Sequence, residues 1–281
     1  HVRSRRQRQM CIRDRYNATH PSEINSPVSL SRNLLAWNQP GTNGLILPVN
    51  PSASFLSILF ANELWFTLGD MTMAEHCAML SMIFSPRNSG SRMIKRLAEI
   101  NLVNGDDEAA LKYLRILDKT LLHKSWAEKR IPGQQTPRVK EWLEKKRRDI
   151  PTQDHLRSGN DAVTSLRNLV ASNAGNLRAY EYLLCYHLLS KDLRSFVEDY
   201  VPGKVSSSIF AEALLIHLAR QGNIRAEELI KYQIPVKIAK EFADYTRLYE
   251  AKDTSLKEKY GKTYWFYYHF ATTEPGKESK P

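Results

Sequence analysis

Three times in this sequence a glycine is followed at once by Asp or Asn, each time between segments whose apolar residues recur every three or four positions. The pairs are Gly69-Asp70, Gly105-Asp106 and Gly222-Asn223. A glycine can take the left-handed conformation that closes one helix, and the next Asp or Asn can accept the free N–H groups that open another. Each pair therefore predicts a helix–turn–helix hinge. Small residues follow four or five positions on, at Ala74, at Ala109 and Ala110, and at Ala226, where two helices of a hairpin can approach closely. A fourth hinge without glycine is expected at Ser190-Lys191-Asp192.

Four hinges give four hairpins, at about 54–84, 91–124, 176–201 and 206–231. Gly69 to Gly105 is 36 residues and Ser190 to Gly222 is 32, near the 34 of a tetratricopeptide (TPR) repeat, with Trp65 and Pro86 fitting some of its markers. From Tyr16 onward no segment alternates with period two for long enough to be a convincing strand. The expected fold is all-α, a TPR-like helical-hairpin repeat, or α-solenoid, over 54–270.

The remaining segments are read around that array. A short helix is expected over 26–38, with Leu30, Leu34, Leu35 and Trp37 as its apolar side, inside an N-terminal helix-and-loop region, 16–53. The apolar run 54–68 is interrupted by Asn62 and Glu63, as in a packed helix rather than a membrane-spanning one. Pro132, Gly133, Pro137, Pro151 and Gly159 break the register over 125–160, which reads as an irregular connection carrying one short helix near 138–149 or as an eroded repeat. Two helices, about 235–250 and 255–270, should close the array. The second has the capping-box spacing Ser255…Glu258, and its aromatic run Tyr264 to Tyr268 should seal the last apolar face. The tail 271–281 reads as disordered.

Residues 1–15, HVRSRRQRQMCIRDR, carry six Arg and one Asp with no apolar period, and RQMCIRDR resembles translated sequencing-adaptor DNA at the end of a metagenomic contig. Setting this segment aside lowers Lys plus Arg from 41 to 35 and Asp plus Glu from 30 to 29, and the net charge from +11 to +6. Much of the apparent nucleic-acid signal goes with it. Cys11 also leaves, so Cys77 and Cys185 remain, each within an apolar helical pattern and far apart in sequence. Two such thiols suggest buried, inert packing rather than a disulfide framework.

The runs Arg96 to Ala127, Ala179 to Leu193 and Gly41 to Ile46 resemble an uncharacterised family of Bacteroidota proteins, a domain of unknown function in which several membrane-spanning helices precede a C-terminal TPR-like region. The resemblance spans roughly Ser26 to Lys231. It implies that this chain is the soluble C-terminal part of a truncated membrane protein, with the intact protein in the bacterial inner membrane and this domain on an undetermined side. It implies no activity and supplies no catalytic residues.

Strong chemical signatures are missing from the sequence. Gly261-Lys262-Thr263 has Leu256 where a phosphate-binding loop needs Gly, and no His-Glu-x-x-His, paired Cys-x-x-Cys or Gly-x-Ser-x-Gly occurs. Cys185 and His187 fall on different helix faces, with His187 expected in a groove or at the surface; His76, His123 and His217 are isolated. Asn17-Ala18-Thr19 has a glycosylation spacing, which a bacterial origin makes a coincidence. The basic cluster around Trp142 (Arg138, Lys140, Lys145, Lys146, Arg147 and Arg148) is diluted by Glu141, Glu144 and Asp149, and reads as a solvated helix face ahead of a contact with nucleic-acid phosphates or with anionic lipid beside a membrane.

Arg92, Lys95, Arg96 and Glu99 stand at three- and four-residue spacings on the first helix of the second hairpin, and Glu63 holds the matching place one hairpin earlier. In a TPR-like array that helix lines the concave groove. These five residues are the candidate peptide-binding set. The expectation is a non-catalytic module for a protein or peptide partner, with no cofactor, metal or nucleic acid and with membrane association through a missing N-terminal region. The alternatives are an accessory domain of a membrane-embedded transferase whose catalytic residues lie in that missing region, and a soluble nucleic-acid binder with steep salt dependence.

Overall fold

A computed structural model describes residues 55–83, 90–152 and 162–271. The expected helix at 26–38, the adaptor-like residues 1–15 and positions 272–281 of the tail lie outside the described residues. Among the described residues every regular element is helical, and the all-α expectation holds. The chain divides into two compact units between Tyr180 and Glu181, inside one helix.

The first unit contains α1 (Phe55–Leu68), α2 (Met71–Ile83), α3 (Ser91–Asn104), α4 (Asp107–Asp118), α5 (Lys124–Glu128), α6 (Pro137–Arg147), α7 (Ala162–Ser172) and the start of α8 (Leu177–Leu189). Consecutive helices pack on one another from α1 to α5, and α6 packs on α3. Trp65, Leu68, Leu97, Ile100, Leu102, Leu114 and Leu117 are its largest fully buried side chains. The hinges form as the local chemistry requires. Gly105 is left-handed at φ 84° and closes α3, with the Asp106 N–H donating to the Asn101 carbonyl (2.9 Å). Asp106 then opens α4 by accepting from the Ala109 N–H at 2.9 Å. Gly69 and Asp70 repeat the arrangement, with Asp70 accepting from the Met73 N–H at 2.9 Å. A Cβ on Gly69 would also collide with the Asp149 carbonyl, so this glycine is required twice.

The C-terminal end of α1 is unusually well served. Its last four carbonyls have no partners within the helix, and each finds one outside. The Asp70 N–H bonds to Trp65 (3.0 Å), Lys146 Nζ to Phe66 (3.1 Å), Arg178 Nη1 to Thr67 (3.3 Å) and Asn176 Nδ2 to Leu68 (2.7 Å). Arg147 does the same for α3, donating from Nη2 to Leu102 (2.8 Å) and from Nε to Val103 (3.0 Å). The basic run of α6 is therefore split. Arg138, Lys140 and Lys145 are exposed, whereas Lys146 and Arg147 bond carbonyls of other helices.

The second unit holds the rest of α8, then α9 (Leu193–Asp199), α10 (Ser208–Arg220), α11 (Ala226–Lys231), α12 (Val236–Glu250), α13 (Leu256–Tyr260) and α14 (Tyr264–Phe270). The hinge without glycine forms: Lys191 takes φ 57°, and Asp192 caps α9 through the Ser195 N–H at 3.0 Å. At Gly222-Asn223 only half of the expected hinge appears. Gly222 is left-handed and the Asn223 N–H closes α10 on the Leu218 carbonyl (2.9 Å), but α11 begins three residues later, beyond reach of the Asn223 side chain. Its cap position is Arg225, α11 buries none of its residues, and Ala226 is exposed rather than at a close helix approach.

The expected single helix over 255–270 is two. Ser255 makes no side-chain cap, and the chain restarts at Thr263, whose hydroxyl oxygen accepts from the Phe266 N–H at 3.3 Å. The break turns the aromatic segment inward. Tyr264 and Tyr267 hydroxyls donate to the Leu188 and Leu189 carbonyls at the end of α8 (2.9 and 2.7 Å), and Trp265 Nε1 donates to the Glu212 carbonyl (2.9 Å). His187, expected in a groove or at the surface, is 1% exposed and lies 2.8 Å from Asp199 Oδ2. A buried polar ring needs such a partner.

Asn176 bonds the Leu68 and Asp149 carbonyls through one end of its amide and accepts from the Ala179 N–H through the other. It is 1% exposed. Asn176→Ala orphans all three groups and is expected to lower unfolding free energy by about 2–4 kcal/mol, read from urea midpoints. A loss below about 1 kcal/mol would show that these groups find other partners.

Candidate functional site

Four of the five candidate residues come together. Arg92, Arg96 and Glu99 project from one side of α3 and meet Glu63 of α1. Glu63 Oε2 accepts from Arg96 Nη2 at 2.8 Å and from Arg92 Nη2 at 3.4 Å, and Arg96 also pairs with Glu99 at 3.0 Å. Exposure separates their roles. The Arg96 side chain is 10% exposed, Arg92 28% and Glu63 45%. Burial pushes the Glu63 carboxyl pKa up, but Arg96 and Arg92 outweigh it and hold the group below its usual range.

Lys95 does not join that network. Its ammonium lies 4.8 Å from the centre of the Trp126 ring on α5, and the Arg130 guanidinium lies 4.1 Å from the same ring. A second ring carries a parallel pair: Phe66 of α1 has the Arg96 guanidinium at 3.7 Å and the Lys146 ammonium at 4.6 Å. Phe66 also stacks on Trp142 of α6, with ring centres 6.3 Å apart. A cation over an aromatic face is attracted by the ring quadrupole, more strongly where water is excluded.

The result is a local surplus of positive charge on α1, α3, α5 and α6. Against Arg92, Lys95, Arg96, Arg130 and Lys146 stand the carboxylates of Glu63 and Glu99, with Asp149 acting on Lys146. Arg130 Nη1 donates to the Trp126 carbonyl at 3.2 Å, while its buried Nε has no hydrogen-bond partner among the described residues. Phe66, Trp126, Arg130 and Lys146 were not in the sequence-derived set. Phe66 lies one turn beyond Glu63 on α1, whereas Trp126, Arg130 and Lys146 come from segments that helical spacing on α1 or α3 does not reach.

Cys77 and Cys185 are both buried and form no disulfide, and burial with nearby Asp70 pushes the Cys77 thiol up to about 12. Among the described residues no three His, Cys, Asp or Glu side chains converge as a metal-holding group. No helix among them is long and apolar enough to cross a membrane.

Lys146 carries a measurable signature of the charge surplus. Burial, then Arg178 and Arg96, lower its pKa to about 8, against the opposite pull of Asp149 and Glu99. A lysine whose folded pKa lies below its unfolded value costs stability while both states are charged, and that cost is relieved as pH rises from about 8 towards about 10.4. Stability should therefore rise by about 1–2 kcal/mol between pH 7 and about pH 9.5 relative to Lys146→Met, compared by urea titration at each pH. Parallel pH profiles for the two proteins would place Lys146 in ordinary solvent.

The chain matches no curated protein and no solved structure. Its residues 29–271 match a family without an assigned activity: the chain belongs to DUF6057, a family of unknown function.

Proposed function

We propose that this chain is a non-catalytic interaction module that binds an acidic protein or peptide segment, built on a TPR-like arrangement of helix pairs. The observation that carries the reading is the cation-rich face on α1, α3 and α5, where Lys95 stands over the Trp126 ring, Arg96 over the Phe66 ring, and Arg92 beside Glu63. Consecutive packing of α1, α2, α3 and α4 supports the repeat arrangement, and helix pairs stacked in series are a general way to build an extended recognition surface. A carboxylate-bearing segment would meet cations whose own carboxylate partners are too few to neutralise them. The half-exposed Glu63 would be the group it competes with.

A short Glu-rich peptide, followed by fluorescence anisotropy, tests this directly. Binding should weaken about fivefold or more on Arg92→Glu or Lys95→Glu, and stay unchanged on Lys237→Glu, a reversal on the exposed surface of α12 in the second unit. Lys237 is 85% exposed, so that control does not disturb packing. Equal affinity in all four proteins would remove Arg92 and Lys95 from the account.

We further propose that the module is the soluble part of a longer bacterial membrane protein, a reading supported by the likeness of Arg96–Ala127 and Ala179–Leu193 to the Bacteroidota family. Long-read sequencing upstream of the codon for Tyr16 should run into several apolar segments of about 20 residues. A start codon a few residues upstream, with no such segments, would make the module free-standing.

A further inference from the structure

The turn joining α4 to α5 carries the most exposed large apolar side chains among the described residues. Leu121 is 103% exposed and Leu122 is 89% exposed, and Ile116 in the preceding turn of α4 is 48% exposed. Single exposed leucines are ordinary, but two adjacent ones at the apex of a turn, with a third apolar residue behind them, are not.

The turn is built to hold them there. Thr120 donates its hydroxyl to the Leu117 carbonyl at 2.7 Å and accepts from the His123 N–H at 3.2 Å. The His123 ring is fixed in turn, with Nε2 3.1 Å from Ser91 Oγ on α3. The Lys124 N–H closes on the Thr120 carbonyl at 3.1 Å. Leu121 and Leu122 therefore sit between two anchored residues. Their projection follows from backbone bonding rather than from loose chain, so little ordering entropy is lost when the tip enters another medium.

The surroundings of the tip are basic. Lys112, Arg115, Ile116 and Lys119 share the exposed face of α4 at three- and four-residue spacings, and Lys124 follows the leucines; all five are exposed. Asp118, half-buried, is the acid within this segment, and beyond it Glu128 makes only a long 4.0 Å exposed pair with Lys124. An apolar tip inside a collar of Lys and Arg fits the boundary of an anionic bilayer, where hydrocarbon lies just beneath negative headgroups. A convex two-residue tip offers a protein partner far less than the roughly 800 Å² per side of a stable interface.

We propose that the α4–α5 turn is a monotopic docking site for an anionic lipid surface, with Leu121 and Leu122 inserted below the headgroups and Lys119 and Lys124 at the phosphate level. The site is separate from the Glu63–Arg96 network and uses none of its residues. The leucines touch so little protein that replacing them leaves the fold intact, so loss of binding can be read directly.

The test is flotation of the full chain with vesicles of phosphatidylcholine alone and of phosphatidylcholine mixed equally with phosphatidylglycerol. The wild type should float with the anionic vesicles, and Leu121→Asn/Leu122→Asn should lower its partition about tenfold or more without changing the thermal melt. Lys119→Gln/Lys124→Gln should weaken anionic-vesicle binding about tenfold at low salt and flatten its salt dependence. The Arg-rich first fifteen residues are common to all three proteins and cancel in the comparison. Leucine variants that float like the wild type would show adsorption by overall charge and overturn the proposal. Concentration-dependent dimerisation lost in the leucine variant, with no vesicle binding by the wild type, would also overturn it and assign the tip to a second copy of this chain.

Discussion

Helix C-termini leave carbonyls that water cannot reach once helices pack, and the two units of this chain are organised by how those carbonyls are satisfied. At the end of α1 the partners are an ammonium, a guanidinium, an amide and a backbone N–H, drawn from Lys146, Arg178, Asn176 and Asp70. At the end of α8 they include the phenol hydroxyls of Tyr264 and Tyr267. Unsatisfied buried carbonyls would each cost about 1–3 kcal/mol, comparable to burying a large apolar side chain. Capping therefore selects which helices may neighbour α1 and α8 as strongly as apolar packing does. Cations also suit the negative end of a helix dipole, which is why a basic helix such as α6 can lie against α1 and α3.

That same solution generates the candidate site. Lys146 reaches the α1 terminus across the face of Phe66, and Arg96 meets the same ring. Two cations held near one buried ring repel each other, which is part of what lowers the Lys146 pKa. Glu63 and Glu99 offset this only in part. The positive surplus is thus a by-product of helix capping that α3 then presents, through Arg92 and Lys95, at the edge of the packed region.

Features encoded within about five residues were legible in the sequence. The hinges at Gly69-Asp70, Gly105-Asp106 and Lys191-Asp192 form because a left-handed residue and an Asp cap are local devices. Gly222-Asn223 shows the limit: closing α10 is local, but where α11 restarts depends on packing with the rest of the chain, and α11 buries none of its residues. The break before α14 was hidden for the same reason. Ser255…Glu258 is a sound cap pattern in isolation, yet Tyr264, Trp265 and Tyr267 gain hydrogen bonds to α8 and α10 only if the chain bends at Gly261–Thr263. Of the site, the α3 face was legible from its spacing. Phe66, Trp126, Arg130 and Lys146 were not, because the contacts that recruit them join residues up to 80 positions apart.

On the proposed reading, burial decides which residues of the charged network meet the partner. Arg96 is enclosed by Glu63, Glu99 and Phe66, and withdrawing it for a ligand would strand two carboxylates and uncover an aromatic face. Such a group is fixed by structure, because breaking a buried pair costs more than a new surface contact returns. Arg92 holds Glu63 only at 3.4 Å, and Lys95 is held by a ring rather than by a carboxylate. Both can turn to an incoming anion while Arg96 keeps Glu63 in place. A face with one immovable arginine and two movable cations has a rigid floor and an adaptable rim, the division of labour that lets a helical surface bind a short charged segment without unfolding any of its own contacts.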